Sequence, residues 1–146
     1  MAMIAGCSTA IAPTLDVGDT AFSVCYPDSD AEPMTVGITV ARSDIDTTIT
    51  DVQLVDATNV RVIDWYVADP REFIGLGEGF SPSGSHESRT LLPAGEERAI
   101  HIGIVVREPS LAAGVSGASI EVTSNGLTTS RTVPITLELL PAGDEC

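Results

Sequence analysis

The chain has 146 residues, 43% of them hydrophobic and only 4% aromatic, a length that suits one folded domain. Seven basic residues, all arginine, stand against 21 acidic ones for a net charge of −14. That balance excludes a phosphate-binding footprint for nucleic acid and charge-driven docking on an anionic membrane, and no apolar run nears the roughly 20 residues of a membrane span.

Residues 8–19 are small and polar, with Pro13 and Gly18. They are expected to form a tether, so that residues 1–19 precede a single domain over 20–146. From there short apolar runs alternate with turn signals, the rhythm of a sandwich or barrel. The first run, Thr20 to Tyr26, sets Phe22, Val24 and Tyr26 on one face. In the second, Met34, Val36, Ile38 and Val40 alternate strictly with Thr35, Gly37, Thr39 and Ala41, which predicts a strand with one face packed. The third, Thr48 to Val55, carries Val52 and Leu54, with Ile49 out of phase; that offset predicts a bulge. The fourth, Val60 to Val67, is apolar on both faces and predicts a strand covered on both sides.

Residues 68–90 break the rhythm. They hold Pro70, Gly75, Gly77, Gly79, Pro82 and Gly84 with four serines and no sustained period. A loop of that length on a rigid scaffold is usually functional, and its Phe73, Phe80 and His86 are the candidate contact residues. The chain regains order in the turn Leu91-Leu92-Pro93-Ala94-Gly95-Glu96-Glu97. Arg98 to Val106 then alternates through Ile100, Ile102, Ile104 and Val106. Gly114–Gly117 leads to Ala118, Ile120 and Val122, and Asn125-Gly126 is the strongest short hairpin signal in the chain. The return strand runs to Leu140. A two-residue loop there would set Ile120 against Arg131, an awkward pair that points to a bulge. Pro134 cannot donate to a ladder and belongs at an edge or a bulge.

These patterns give seven strands and no run of convincing helical period, an all-β antiparallel sandwich. From Leu-Pro-Ala-Gly-Glu to the final strand, roughly residues 91–140, the sequence resembles the C-terminal half of bacterial immunoglobulin-like modules. It lacks the paired core cysteines and intervening tryptophan of antibody domains; Trp65, the only tryptophan, is assigned to the core. The resemblance implies an immunoglobulin-like module, secreted or at the cell surface, that binds, spaces or caps something. It brings no catalytic residue with it.

Ile4-Ala5-Gly6-Cys7 resembles a bacterial lipobox, which implies lipidation of Cys7 and a lipid-anchored or secreted, extracytoplasmic protein. Of three cysteines, a lipidated Cys7 leaves Cys25 and Cys146 as an even pair whose bridge would close almost the whole domain.

Two turns carry carboxylates at alternate positions, Asp28 with Asp30 and Asp44 with Asp46. Oxygens so spaced could converge on calcium, although neither turn matches the full helix-loop-helix calcium pattern. Acidic residues also simply form good turns. No Gly-x-Ser-x-Gly or His-Glu-x-x-His is present, and Ser85-His86-Glu87-Ser88 lies among glycines. The sequence therefore predicts a non-enzymatic extracytoplasmic binding module with no cofactor. It would act through residues 68–90 and an acidic surface, meeting protein or envelope partners and touching a membrane only through a lipid anchor. The alternative is a calcium-binding structural or assembly protein of an envelope or virion.

Overall fold

A computed structural model describes residues 13–17, 22–40, 43–69, 75–82 and 89–146. Nine strands are found among them: β1 (Phe22–Tyr26), β2 (Met34–Val40), β3 (Thr47–Val55), β4 (Val60–Ala68), β5 (Gly75–Glu78), β6 (Leu91–Leu92), β7 (Arg98–Val106), β8 (Ala113–Ser124) and β9 (Leu127–Leu139). They form two sheets, a five-stranded one in the order β1-β9-β8-β3-β6 and a four-stranded one in the order β4-β7-β2-β5. An immunoglobulin constant-type sandwich sets strands A, B, E and D in one sheet and C, F and G in the other. Here β2, β7 and β4 stand in the order B-E-D, and β3, β8 and β9 in the order C-F-G. The fold is an immunoglobulin-like β-sandwich. The first strand runs parallel to the last, Phe22 opposite Ile135 through Tyr26 opposite Leu139.

The core lies between the sheets because alternate side chains of each strand point there. Ile100, Ile102 and Ile104 from β7 are fully buried, as are Val36 and Ile38 from β2 and Ala118, Ile120 and Val122 from β8. Val133, Ile135, Leu137 and Leu139 from β9 complete the opposite wall. Leu92 of β6 is fully buried while its neighbour Leu91 is 41% exposed.

Nine strands replace the expected seven because two short elements leave no periodic signature. β5 lies inside the glycine-rich stretch, where alternate residues have no side chain to alternate, and β6 has only two residues. Leu15, expected in a tether, is 1% exposed and belongs to the core. Its carbonyl accepts a hydrogen bond from Arg131 Nε at 3.1 Å. Residues ahead of β1 thus contribute Leu15 and Val17 to the packing of the sandwich.

The out-of-phase Ile49 does mark a bulge, with the β3–β8 register shifting between Ile49 and Asp51. β4 is an edge strand, not one covered throughout on both sides. Its register on β7 shifts between Val62 and Asp64, so Val60 and Val62 face the core before the shift and Trp65 and Val67 after it. One bulge thus gives apolar residues on both faces of the sequence pattern. Asn125 and Gly126, with φ of 50° and 77°, form a two-residue turn between Ser124 and Leu127, a geometry these residue types tolerate. Ile120 does stand opposite Arg131, without a bulge there. Both side chains leave the same face of the sheet, and the pair is accommodated because Ile120 is fully buried while Arg131, exposed at the rim of the core, donates to the Leu15 carbonyl. The bulge falls further on, between Val115 and Gly117, where Pro134 sits. The β8–β9 ladder is interrupted there, which suits a residue with no N–H to donate.

Cys25 and Cys146 are joined by a disulfide across 121 residues, with Cα atoms 5.8 Å apart. A bridge closing so long a loop stabilises a fold by about 5 kcal/mol in the chain-entropy account. Leu140 reinforces the same corner: its N–H donates to the Tyr26 carbonyl and its own carbonyl accepts from the Ser29 N–H, both at 2.9 Å.

Candidate functional site

β7 is buried on both faces, which an ordinary sandwich strand is not. Its inward isoleucines meet the core; its outward Ala99, His101 and Gly103 are covered from the other side. The rows of the sheet show what lies there. Tyr66, His101, Gly37 and Gly75 stand side by side across β4, β7, β2 and β5, and Asp64, Gly103, Thr35 and Gly77 form the next row. Glycine occupies half of those eight positions, so part of this outer face is bare backbone.

Phe80 uses the bare backbone. Its ring lies so close over Gly103 that a β-carbon at residue 103 would sit 2.6 Å from the ring atoms. Phe80 packs on Tyr66 with ring centroids 5.7 Å apart, and Tyr66 meets His101 edge-on at 5.1 Å. The Tyr66 hydroxyl and His101 Nδ1 share a hydrogen bond of 2.8 Å. Both side chains are almost fully buried, at 6% and 5% exposure, so the bond keeps two polar groups satisfied out of water.

The turn that delivers Phe80 is fixed by its backbone. Gly79, at φ 80°, donates its N–H to the Pro33 carbonyl at 2.8 Å and accepts from the Thr35 hydroxyl. A side chain would strain that conformation. Beside the turn lies a cavity of about 390 Å³, edged by Thr35, Tyr66, Glu78, Phe80, Ser81 and His101. Apolar ring faces, hydroxyls and a carboxylate meet there, a lining able to hold and orient a ligand through one apolar face and several directed hydrogen bonds.

Glu78 also forms one wall of a second cavity, of about 220 Å³, with Tyr26, Asp30, Glu32 and Met34. The Tyr26 hydroxyl donates to Glu78 Oε1 at 3.1 Å, linking an edge of each sheet. That hydrogen bond to Glu78 raises the Tyr26 pKa above its ordinary value; burial and the nearby charges of Glu78, Asp30 and Asp28 push the same way.

Of the predicted contact residues, Phe80 stands at this site, while Phe73 and His86 lie outside the described residues. Cys7 lies outside them as well. Tyr66, His101, Thr35 and Glu78 were not singled out as site residues by the sequence. The signal that could have found them is the set of outward glycines, since an isolated glycine in a strand marks a close approach of something else.

The four candidate calcium ligands do not converge. Asp28 and Asp30 lie in the turn before β2 and Asp44 and Asp46 in the turn after it, separated by a seven-residue strand, roughly 20 Å. Each pair has local geometry of its own. Asp28 holds a positive φ of 58°, and Asp30 Oδ1 accepts from the Glu32 N–H at 2.9 Å. Asp46 Oδ1 accepts from the Ala94 N–H at 2.8 Å, while the Gly95 N–H donates to the Ser43 carbonyl, so two turns brace each other. Asp44 is exposed. Among the described residues no three His, Cys, Asp or Glu side chains are grouped to hold one ion, and no helix is long and apolar enough to cross a membrane.

No protein-family model and no curated protein matches the chain. Among solved structures it is similar to PapD-like domain 7 of human CEP192, an ASH/PapD-like domain, at 11% identity over 90% of this chain and 87% of that one, with a TM-score of 0.43. It is also similar to a family 123 glycoside hydrolase from Clostridium perfringens, at 14% identity over 84% of this chain and 23% of that one, with a TM-score of 0.43.

Proposed function

We propose that the protein is a non-enzymatic binding module of an extracytoplasmic compartment, acting through the outer face of its four-stranded sheet. The observation that carries this reading is the cavity beside Phe80, whose ring lies over a glycine-paved sheet face. Long loops held on a rigid sandwich are a common place for recognition. The disulfide between Cys25 and Cys146 supports an oxidising compartment, where such bonds persist. A lipid on Cys7 is the proposed attachment. The net charge of −14 favours protein or envelope partners over nucleic acid.

A photoreactive amino acid at Ser81 tests the site against one at Thr136, an exposed position on the outer face of the other sheet. Irradiation in the native host is expected to give a discrete adduct from position 81 and none from 136. Adducts from 136 alone, or equally from both, would remove this face as the binding surface. The intact mass of protein from the same host tests the anchor, since acylation at Cys7 adds the mass of the lipid.

A further inference from the structure

The two lateral sides of the sandwich differ. On one side Tyr26 of β1 reaches Glu78 of β5 and links the sheets. On the other side the edges are β3 with β6 and β4, and among the described residues part of their backbone has no pairing strand. β6 covers only Thr47 and Thr48 of β3. The strap Arg89-Thr90 adds two bonds: the Ile49 N–H donates to the Thr90 carbonyl at 2.8 Å, and the Val67 N–H to the Arg89 carbonyl at 2.7 Å. Among the described residues, residues 50–55 of β3 and 60–65 of β4 have no strand beyond them on that side. Leu54, Val62 and Trp65 pack on the core there while remaining only half-buried. A cavity of about 320 Å³ opens beside the strap, lined by Asp64, Trp65, Arg89 and Thr90.

Two details show that this side is held by a substitute. Asp64 Oδ1 accepts the Trp65 N–H at 2.8 Å, a side-chain oxygen bonded to the backbone of an edge strand. Its other oxygen is clasped by Arg89 Nη2 at 3.0 Å. Beneath that clasp Arg89 Nε is buried with no acceptor, an arrangement that costs free energy because a donor stripped of water has nothing in its place.

We propose that the side between β3 and β4 receives an extended, basic segment of another protein, added as an edge strand. The vacant groups are the N–H and C=O of strand edges, and only another extended backbone matches their repeat. Half-buried apolar side chains between the edges would take alternate residues of the segment. A basic segment suits a protein of charge −14, a charge that disfavours a second copy of this chain. The incoming strand opens the Asp64–Arg89 clasp, takes the place of the Asp64 oxygen at Trp65, and gives Arg89 Nε an acceptor.

The test pans a phage-displayed library of random dodecapeptides on the full, disulfide-bonded chain. Recovered peptides are expected to be basic with alternating apolar residues. On binding they should slow amide exchange within residues 60–65 of β4. N-methylation of alternate peptide nitrogens in one phase should weaken binding at least about tenfold, and in the other phase should not. The proposal is overturned if no peptide binds more tightly than about 100 µM, if the slowed amides lie elsewhere, or if neither phase of N-methylation matters. It is equally overturned if the unliganded chain dimerises through these strands, which would make a second copy the occupant.

Discussion

The outer faces of the two sheets are built by opposite rules. On β9 the outward residues Thr132, Pro134, Thr136 and Glu138 are all exposed, and each alternates with a buried aliphatic residue. On β7 the outward residues Ala99, His101 and Gly103 are as buried as the isoleucines between them. The first face meets water and tolerates polar residues of any size. The second meets Phe80, and the ring leaves no room for a β-carbon at Gly103. Covering a sheet face converts its residues from a free surface into a second, smaller core, with packing constraints of its own.

The largest effect expected concerns the corner that ties β1 to the five-stranded sheet. Replacing Cys25 and Cys146 together with serine should cost up to about 5 kcal/mol, read as a fall in the urea midpoint. A loss under about 1 kcal/mol would show that the hydrogen bonds of Leu140 hold the corner alone. Next comes the covered face. Gly103→Val should cost about 1–3 kcal/mol by overpacking, and markedly less in a Phe80→Ala background, because the two act through one contact. Additive costs would mean that the ring does not seal the face. Tyr66→Phe removes the hydroxyl from His101 and should cost about 1–2 kcal/mol by the same denaturation measurement.

The link between the sheets adds a pH dependence. The Tyr26 phenol is held protonated above its ordinary pKa of 10.0, first by its hydrogen bond to Glu78. Its stabilising contribution is complete below the unfolded value and is lost as pH rises through the raised folded value. In a Tyr66→Phe background, alkaline titration followed by phenolate absorbance should show Tyr26 lagging, and Glu78→Gln should remove most of the lag. The smallest effect belongs to the solvated face: Thr136→Val should change stability by no more than about 0.5 kcal/mol. A larger loss there would erase the contrast between the faces.

Sequence periodicity captured the parts of the fold where alternation has side chains to act on. β2, β7 and β9 were visible because a buried aliphatic residue recurs at every second position, and the hairpin because Asn125 and Gly126 both accept positive φ. The bulge at Ile49 was visible as a phase error. The Cys25–Cys146 bond was visible from parity once Cys7 was set aside. What stayed hidden depends on contacts between distant residues. β5 is written in glycines, which carry no hydrophobic signal, and Leu15 joins the core from a segment whose composition is that of a tether. Phe80 is a candidate contact residue on the sequence alone, but the Gly103 and Tyr66 it packs on carry no such signal. Tyr66 lies 35 residues from His101, and only the sheet register brings the two together.

The parallel ladder between β1 and β9 also sets how the domain answers a mechanical load. A pull arriving from the N-terminal side draws β1 along its own axis, against a strand that runs the same way and is embedded in the sheet. The rungs ahead of Cys25 are loaded in shear, and behind them the Cys25–Cys146 bond takes up the tension. A module loaded in this direction meets force first with a short sheared ladder and then with a covalent staple.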